Sequence, residues 1–310
     1  MLAVAHRFSV APMMRYSHFP ARQLWRFLCP PALLYTEMLT AEAVIYGRRE
    51  QLLKLPAEQQ PVVVQLGGAS PDRLAEAARI AEAMGAAEIN FNCGCPSPRV
   101  RCGHFGASLM KTPELMARCV EAMAAAVQVP VTVKCRLAVD DMDAETALDD
   151  FCRRVFAAGA RALVVHARRA WLDGLNPAQN RTVPPLDYAR AYRLKESIGD
   201  KSIIINGGIN TVEEALRHLI KMDGVMLGRA VVRSPYMLAA VARNIFGITP
   251  PERCAALRYM LEKAAQSPPR TWSQYVSALA GLFHGEPNNK YYRRRLALPQ
   301  AAALRALCEE

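Results

Sequence analysis

A regular alternation of short apolar runs with longer amphipathic segments extends from residue 7 to about residue 243 and constrains the fold more than any other feature. Eight of the short runs are predicted β-strands: Phe8–Met13, Leu33–Met38, Val62–Leu66, Glu88–Asn92, Val131–Arg136, Ala162–His166, Ser202–Asn206 and Val225–Gly228. Helical patterns separate most of them, at Pro71–Met84, Pro113–Val127, Ala144–Ala158, Asp187–Ile198, Val212–Lys221 and Pro235–Ile245. This alternation predicts an α/β fold, here a (β/α)8 TIM barrel.

An open doubly wound sheet is the alternative architecture for such an alternation. It would normally carry a GxGxxG turn after its first strand. This chain has Ala11-Pro12-Met13-Met14 at that place, so the barrel is favoured.

The strand pattern stops after Phe246. Two proline pairs, Pro250-Pro251 and Pro268-Pro269, flank a helical stretch, and no further strand pattern follows. We therefore expect a barrel domain over residues 1–244 and a small C-terminal helical domain over residues 245–310.

The chain carries a large excess of positive charge. Its 39 Lys and Arg residues outnumber 28 Asp and Glu residues, for a formal net charge of +11. Such an excess favours anionic partners, nucleic acid or phosphorylated ligands above all. A basic enzyme with a small substrate would carry similar charge, so charge alone does not identify the partner.

The cysteines and the apolar runs indicate the cellular location of the protein. None of the nine cysteines forms a CxxC pair, and no His, Asp and Glu cluster has ligand spacing, so we expect no metal site. An odd number of cysteines without a secretory leader predicts reduced thiols and a cytoplasmic location. The apolar runs stay well below the about 18 residues that a membrane span needs, so no membrane association is expected.

Functional side chains of a TIM barrel lie at the carboxyl ends of its strands. Here polar residues end nearly every predicted strand: Glu37, Gln65, Asn92, Lys134, Arg136, His166, Asn206 and Arg229. Cys95 follows the fourth strand in a tight Gly-Cys-Pro turn. A thiol there faces a cleft and can act as a nucleophile or proton donor, although free cysteines are more often small buried hydrophobes.

Glycines follow the last two strands. Asn206-Gly207-Gly208 leads into a helix, and Gly228-Arg229 follows the eighth strand. Glycines let backbone N–H groups approach a phosphate, helix dipoles favour its charge, and an arginine can pair with it. The two turns therefore predict a phosphate site without identifying the ligand.

Three further side chains leave alternatives open. Lys134 lies inside an apolar run, and a buried lysine needs an anion or a depressed pKa. It would form a Schiff base or hold negative charge on a reduced flavin ring. His166 fits a base, a phosphate or ring partner, or a core histidine. Gln65 presents a donor and an acceptor together, which suits the edge of a flavin pyrimidine.

Taken in order, these residues resemble the tRNA-dihydrouridine synthases, flavin enzymes that reduce selected uridines of transfer RNA. The resemblance covers nearly the whole chain through the motifs Ala11–Met13, Tyr35–Met38, Gln65–Gly68, Asn92–Ser97, Phe105–Met110, Val133–Arg136, His166–Arg168, Ile205–Ile209 and Gly224–Arg229. The segment His166–Leu175, followed by Asn180-Arg181 and Pro184–Tyr188, is similar to the DusA branch. That branch acts on the D-loop uridines at positions 20 and 20a.

The resemblance implies FMN as cofactor, NADPH as its reductant and Cys95 as the proton donor. It implies an FMN site made of Pro12, Met13, Met14, Gln65, Lys134, His166, Asn206, Gly207, Gly208, Gly228 and Arg229. It implies tRNA contacts from Asn92, Arg136, Arg181, Lys290 and Arg293. The barrel would then hold FMN, and the helical domain would bind tRNA. We expect a monomer that needs no protein partner.

Two segments depart from the family pattern. Arg15-Tyr16-Ser17-His18 stands where an acidic Asp-x-Thr-Asp segment is usual, and Ala41-Glu42-Ala43 replaces a small Thr-Gly-Ala. Both follow strand ends beside the expected flavin mouth. They bear on substrate position or rate rather than on the fold.

Three other functions fit parts of the sequence. An FMN-dependent enzyme acting on a free pyrimidine, like the dihydroorotate dehydrogenases, would share the barrel but would not need a basic helical tail. A class I aldolase would use Lys134 as a Schiff base. A non-catalytic RNA-binding module would explain the charge, but not Gln65, Lys134 and His166 together.

Overall fold

A closed barrel of parallel strands forms the centre of the computed structural model, which describes residues 6–308. The strands are β1 Phe8–Val10, β2 Leu33–Tyr35, β3 Leu39–Thr40, β4 Val62–Gly67, β5 Glu88–Cys93, β6 Val131–Arg136, β7 Ala162–His166, β8 Ser202–Asn206 and β9 Gly224–Leu227. β1 pairs with β9 and β2, and β2 pairs with β4, so eight strands close on themselves. The two-residue β3 adds to β4. The predicted TIM barrel is confirmed.

Helices surround the barrel and connect its strands. They are Phe19–Leu28, Ala41–Tyr46, Arg49–Leu52, Pro71–Ala83, Pro98–Cys102, Pro113–Ala126, Ala144–Ala157, Tyr188–Ile198, Val212–His218, Arg229–Arg233 and Met237–Phe246, with 3-10 turns at Ala57–Gln59, Gly106–Lys111 and Gln179–Arg181. Thr211 and Glu214 begin one of them with reciprocal side-chain to backbone hydrogen bonds, a capping box. Within residues 6–308, no helix is long and apolar enough to cross a lipid bilayer.

The first strand and the connection after it differ from the sequence prediction. β1 ends at Val10 rather than Met13, because Ser17 closes a turn there: its hydroxyl donates to the Ala11 carbonyl and accepts from the Met13 N–H, both at 3.0 Å. The helix Phe19–Leu28 follows, which the sequence pattern did not predict. His18 caps it by accepting the Ala21 N–H at 3.3 Å.

The second strand also ends early, at Tyr35 rather than Met38. The Thr36 N–H still donates to the Val63 carbonyl at 2.9 Å, but the chain then turns towards the short β3. The predicted strand therefore corresponds to two short pieces, Leu33–Tyr35 and Leu39–Thr40, with Glu37 between them.

The interior of the barrel has an apolar side and a polar side. The apolar side consists of Ala11, Leu33, Tyr35, Val63, Ala162, Val164, Ile204 and Met226. The polar side lies on β4, β5 and β6 and includes the buried residues Gln65, Glu88, Asn90, Asn92, Thr132 and Arg136. Alternate residues of a strand face the same side, which places the three β5 residues of this set in one inward row. Buried polar groups are costly unless hydrogen-bonded, so this row needs partners.

The C-terminal part is helical, as predicted. Its helices are Arg253–Ala265, Trp272–Leu279, Asn289–Leu296 and Gln300–Cys308, with a 3-10 turn at Pro269–Thr271. They pack on the barrel helix Phe19–Leu28: the Phe27 and Tyr259 rings stack at 4.4 Å, and the Tyr275 hydroxyl donates to Gln23 at 3.2 Å. Apolar residues of both parts belong to one continuous core, and the boundary near residue 244 stays a prediction.

Candidate active site

The turn after β5 holds Cys95 at the mouth of the barrel. Asn92 Oδ1 accepts hydrogen bonds from the backbone N–H groups of Gly94 at 3.2 Å and Cys95 at 3.0 Å. The Cys95 carbonyl accepts from Ala107 N–H at 2.9 Å. Gly106 permits this approach, because a Cβ there would lie 2.6 Å from the carbonyl oxygen. The cysteine is free, and the residue is half-buried.

Lys134 faces the barrel interior directly beside this turn. Its Cα pairs with that of Asn92 in the parallel register of β5 and β6. Burial lowers the pKa of Lys134 to about 8, and the neighbouring Arg136 contributes to that shift. Within residues 6–308 the ammonium has no hydrogen-bond or carboxylate partner. A desolvated cation of this kind is available to an anionic ligand.

Arg136 connects β6 to the loops above it. Its guanidinium donates to the Gly94 carbonyl at 3.2 Å and to the Asn180 carbonyl at 2.9 Å. Burial lowers its pKa to about 10. The side chain therefore remains charged, held beside the Cys95 turn by two backbone carbonyls.

His166 ends β7 in the same row of the barrel as Arg136 and Asn206. Burial, together with the cations Arg136 and Lys134, holds the pKa of His166 well below its ordinary value. The ring is therefore neutral near pH 7. His166 Nε2 is buried, and no hydrogen-bond partner for it occurs in the part of the chain that the structure describes. A buried ring nitrogen without a partner marks a place for a ligand.

Three more arginines extend the positive charge of the mouth. Arg229 donates to the Arg181 carbonyl at 3.0 Å, and Arg168 donates to the carbonyls of Thr182 and Pro184. Burial lowers the pKa of Arg229, and the positive charges of Arg181 and Arg168 lower it further. Across residues 6–308, neither these three arginines nor Lys134 and Arg136 forms an ion pair with a carboxylate. Five unneutralised cations in one place favour a phosphate or another anion.

The turn after β8 requires glycine twice. Gly207 has φ +109° and Gly208 has φ +70°. A Cβ on Gly208 would lie 2.4 Å from Leu186 Cδ1, and Tyr188 OH donates to the Gly207 carbonyl at 2.7 Å. Asn206 precedes them and donates to the Met226 carbonyl at 2.7 Å, which joins the ends of β8 and β9.

The segment after β1 lines another part of the mouth. Met13 packs on the apolar interior and lies near Gly228, Pro12 is half-buried, and Met14 is 58% exposed. In the atypical segment, Arg15 has φ +69°, and its N–H donates to the Glu37 carboxylate. The unusual residues therefore build a turn and a helix cap, and they leave the Arg15 side chain exposed at the mouth.

The structural role of Asn180 was not predicted from the sequence. This fully buried side chain accepts from the Trp171 N–H at 2.7 Å and donates to the carbonyls of Trp171 at 2.8 Å and Leu175 at 3.1 Å. It organises the loop between β7 and the helix Tyr188–Ile198, whose carbonyls hold Arg136 and Arg229. The sequence placed Asn180 in the segment that resembles the DusA branch, and an asparagine in a long polar loop is otherwise a weak signal.

Gln65 and Asn92 form a pair on the polar side of the interior. Asn92 Nδ2 donates to Gln65 Oε1 at 2.9 Å, and Gln65 Nε2 donates to Asn90 Oδ1 at 2.8 Å. Asn90 is a second residue that the sequence analysis did not identify. It follows the strand alternation of Asn92, which was a usable signal.

Lys290 and Arg293 lie in the helical tail, one turn apart on Asn289–Leu296, and both are exposed. The two tyrosines between them have different environments. Tyr292 is a core residue whose hydroxyl donates to the Leu279 carbonyl at 2.9 Å, whereas Tyr291 is 48% exposed with the Arg295 guanidinium 4.1 Å from its ring centre. The tail thus offers a cationic face that is separate from the residues of the mouth.

The barrel and its mouth define a class of protein: a TIM-barrel enzyme with a free thiol, a neutral imidazole and a cationic anion site at the carboxyl ends of its strands. A solved structure described as TcOYE with pHBA shares the fold, with a TM-score of 0.57 over 79% of this chain and 91% of that chain at 11% sequence identity. The family model for dihydrouridine synthase (Dus) matches residues 9–307. The chain therefore belongs to the dihydrouridine synthase family, as the sequence motifs indicated.

Two relatives illustrate how similar other members are. The tRNA-dihydrouridine(20/20a) synthase of Xanthomonas campestris is 48% identical over 300 residues, which cover 94% of this chain and 88% of that protein. The protein of the same name from Escherichia coli strain K12 is 45% identical over 299 residues, covering 94% and 86%. The similarity thus extends through both the barrel and the helical tail.

Proposed function

We propose that this protein is a tRNA-dihydrouridine synthase that reduces uridine to 5,6-dihydrouridine at positions 20 and 20a of tRNA, with FMN as cofactor and NADPH as reductant. The observation that carries the proposal is the juxtaposition of the Cys95 turn with the partnerless Lys134 at one barrel mouth. Relatives with that name are 48% and 45% identical over 94% of the chain, which supports the choice of substrate.

The residues at the mouth fit a phosphorylated ring cofactor such as FMN. Among residues 6–308, His166 Nε2 is buried without a hydrogen-bond partner, Lys134 is desolvated without a carboxylate partner, and the mouth is rich in cations. The residues that would hold FMN are Pro12, Met13, Met14, Gln65, Lys134, His166, Asn206, Gly207, Gly208, Gly228 and Arg229. Arg229 and the glycine turns would take the phosphate, and Gln65 would meet the edge of the ring.

When bound, FMN supplies the hydride that reduces C6 of the uracil ring. Cys95 holds the proton that goes to C5 from the opposite face, as a positioned general acid. Asn92 and Arg136 flank this thiol and would bind the uracil edge, where the Arg136 charge stabilises negative charge on a carbonyl oxygen. The target uridine has to leave the RNA stack to reach this position.

The remaining RNA contacts would come from exposed cations. Arg181 lies on the loop above the mouth, and Lys290 and Arg293 lie on the helical tail. Such side chains grip phosphates and fix the register of the RNA rather than read its bases. We propose residues 1–244 as the FMN-binding domain, residues 245–310 as a tRNA-binding domain, and a cytoplasmic monomer as the working form.

A direct assay tests this function. The purified protein is incubated with NADPH and an unmodified tRNA transcript, and dihydrouridine is mapped by position with mass spectrometry. We expect a yellow protein that modifies positions 20 and 20a and leaves free uridine unchanged. Turnover of free uridine without turnover of tRNA would instead support the free-pyrimidine enzyme, and a colourless, inactive protein would contradict the flavin assignment.

A further inference from the structure

A line of hydrogen bonds runs down the polar side of the barrel interior, away from Cys95. Asn92 donates to Gln65, and Gln65 donates to Asn90. Asn90 Nδ2 then donates to Thr132 Oγ1 at 2.9 Å, and the Thr132 hydroxyl donates to Glu88 Oε1 at 2.5 Å. Every member is buried, with at most 9% of its surface exposed.

Glu88 lies at the far end of this line. Its second carboxylate oxygen, Oε2, is 2.8 Å from the His6 ring nitrogen Nε2, and both residues are buried. A carboxylate can only accept hydrogen bonds, so the Thr132 hydroxyl has to donate to it. The hydroxyl hydrogen is then used, and Thr132 can only accept from its neighbour Asn90.

The Glu88 end of the line determines the direction of the other hydrogen bonds. Because Thr132 accepts, Asn90 presents its NH2 group to Thr132 and its oxygen to Gln65. Gln65 then presents its NH2 group to Asn90 and its oxygen to Asn92. Asn92 in turn presents its NH2 group to Gln65, which leaves Asn92 Oδ1 facing the N–H groups of Gly94 and Cys95.

A reversed line would disrupt the Cys95 turn. If the amides of Asn90, Gln65 and Asn92 all rotated, the Asn92 NH2 group would face two backbone N–H donors. An amide that faces donors leaves them unsatisfied, and each buried unpaired polar group costs free energy. The turn would have to move to find other partners, and the thiol would move with it.

We propose that Glu88, Asn90 and Thr132 are positioning residues: they set the orientation of the Gln65 and Asn92 amides and thereby hold Cys95 where it donates its proton. This inference rests on the proposed function in its last step, the use of the Cys95 proton. None of the three touches the substrate. They act across three strands, through Asn92, on the single turn that carries the thiol.

The sharpest variant is Thr132→Val, which has nearly the shape of threonine but no hydroxyl. Thr132→Ser, which keeps the hydroxyl, is the matched control. One readout needs neither flavin nor RNA: the rate at which iodoacetamide alkylates Cys95, followed on its peptide by mass spectrometry. We expect Thr132→Val to loosen the turn and speed alkylation at least about threefold, with Thr132→Ser within about twofold of the wild type.

The second readout is turnover on tRNA. We expect Thr132→Val to lower kcat about tenfold, as for the loss of one well-placed hydrogen bond, with an unchanged KM for tRNA. In an Asn92→Ala background, Thr132→Val should have no further effect on either readout, because the line to Cys95 is already cut. A general loss of stability would lower activity in both backgrounds alike.

Several outcomes would overturn the inference. Wild-type alkylation and kcat in folded Thr132→Val would do so, as would equal effects of valine and serine or full additivity with Asn92→Ala. If Thr132→Val does not fold, Glu88→Gln takes its place, because an amide no longer imposes the direction, and the same criteria apply. If alkylation responds as expected but the wild type makes no dihydrouridine, the proposed function fails while the positioning of Cys95 stands.

Discussion

His166 and Gly207 approach so closely that no methyl group fits between them: a Cβ on Gly207 would lie 2.6 Å from His166 Cδ2 and 2.9 Å from Nε2. The contact joins the end of β7 to the turn after β8. Because Gly207 has no side chain, the Cδ2–Nε2 edge of the imidazole can lie against this turn, and a Cβ there would displace the ring. The Nε2 atom, which has no hydrogen-bond partner among residues 6–308, lies on that edge.

This contact predicts that Gly207→Ala damages the site beyond the usual cost of alanine at positive φ. Gly247→Ala is the matched control, because Gly247 also has positive φ (+68°) but a Cβ there would meet no atom of the described part of the chain within 4 Å. We expect the control to cost about 1 kcal/mol and to keep bound flavin. Gly207→Ala should lose flavin and a further 1–3 kcal/mol or so, measured by urea unfolding and flavin absorbance. Equal effects of the two variants would contradict the steric role.

The thiol of Cys95 is predicted to act in proton transfer and not in binding. Cys95→Ala should keep flavin and tRNA affinity but lower turnover by about 10²–10⁴-fold, the usual contribution of a positioned general acid. Cys254→Ala, at an exposed cysteine of the tail, is the control and should leave turnover unchanged. Stopped-flow reoxidation of the reduced protein by tRNA measures the step. Wild-type turnover in Cys95→Ala would remove the acid assignment.

We expect flavin binding to depend on pH through the ammonium group of Lys134. Its pKa is lowered to about 8, so the ammonium is present below that pH and is lost as pH rises through it. An anionic ligand binds the ammonium form, and affinity for FMN should therefore be flat from about pH 6 to pH 7.5 and then fall up to about tenfold by about pH 9. Lys134→Met should bind more weakly and without this fall, as measured by fluorescence titration. If the affinity of Lys134→Met still fell with rising pH, another group would be responsible for the fall.

We expect the folded protein to lose stability in acid because of the buried His18. Burial, assisted by Arg22, lowers its pKa from 6.5 to about 4, so below pH 6.5 the unfolded chain binds a proton that the folded protein resists. The free energy of unfolding should therefore fall by about 2 kcal/mol between pH 6.5 and about pH 5 from this group alone. His18→Asn keeps a good helix cap without titrating, and it should lack that component in urea midpoints. Parallel pH profiles for both proteins would refute the prediction.

The cationic face of the tail is predicted to contact RNA phosphates. Reversing two charges in Lys290→Glu/Arg293→Glu should weaken tRNA binding and reduce the steepness of its salt dependence by about one to two units. The control, Arg79→Glu/Arg118→Glu, makes the same change of charge at exposed positions on barrel helices. Binding is measured by filter retention across a salt series. Equal slopes for the two double variants would exclude a specific role for the tail.

Local sequence patterns were sufficient to predict the barrel, but not the connections that follow its first two strands. Buried strands such as Val62–Gly67 are continuous apolar runs bounded by turn residues, and these are visible in a short window of sequence. The helix Phe19–Leu28 was missed because it contains Pro20 and the buried polar residues Arg22, Gln23 and Arg26. Arg22 and Arg26 donate to carbonyls between residues 17 and 61, and Gln23 accepts from Tyr275 of the C-terminal part. Its burial depends on residues more than 200 positions away, such as Tyr275, and no local window contains that information.

The sequence by itself determined the order of eight parallel strands, and with it the gathering of Gln65, Cys95, Lys134 and His166 at one end, because parallel strands all finish on the same side of a barrel. Only the tertiary structure decided how those side chains are held. Glu88 and Thr132 are 44 residues apart and meet through the register of β5 and β6. Likewise, Tyr292 is buried with its hydroxyl donating to the Leu279 carbonyl, whereas its neighbour Tyr291 is exposed. Strand register and the direction of a buried hydrogen bond arise from contacts between distant segments, which local periodicity does not encode.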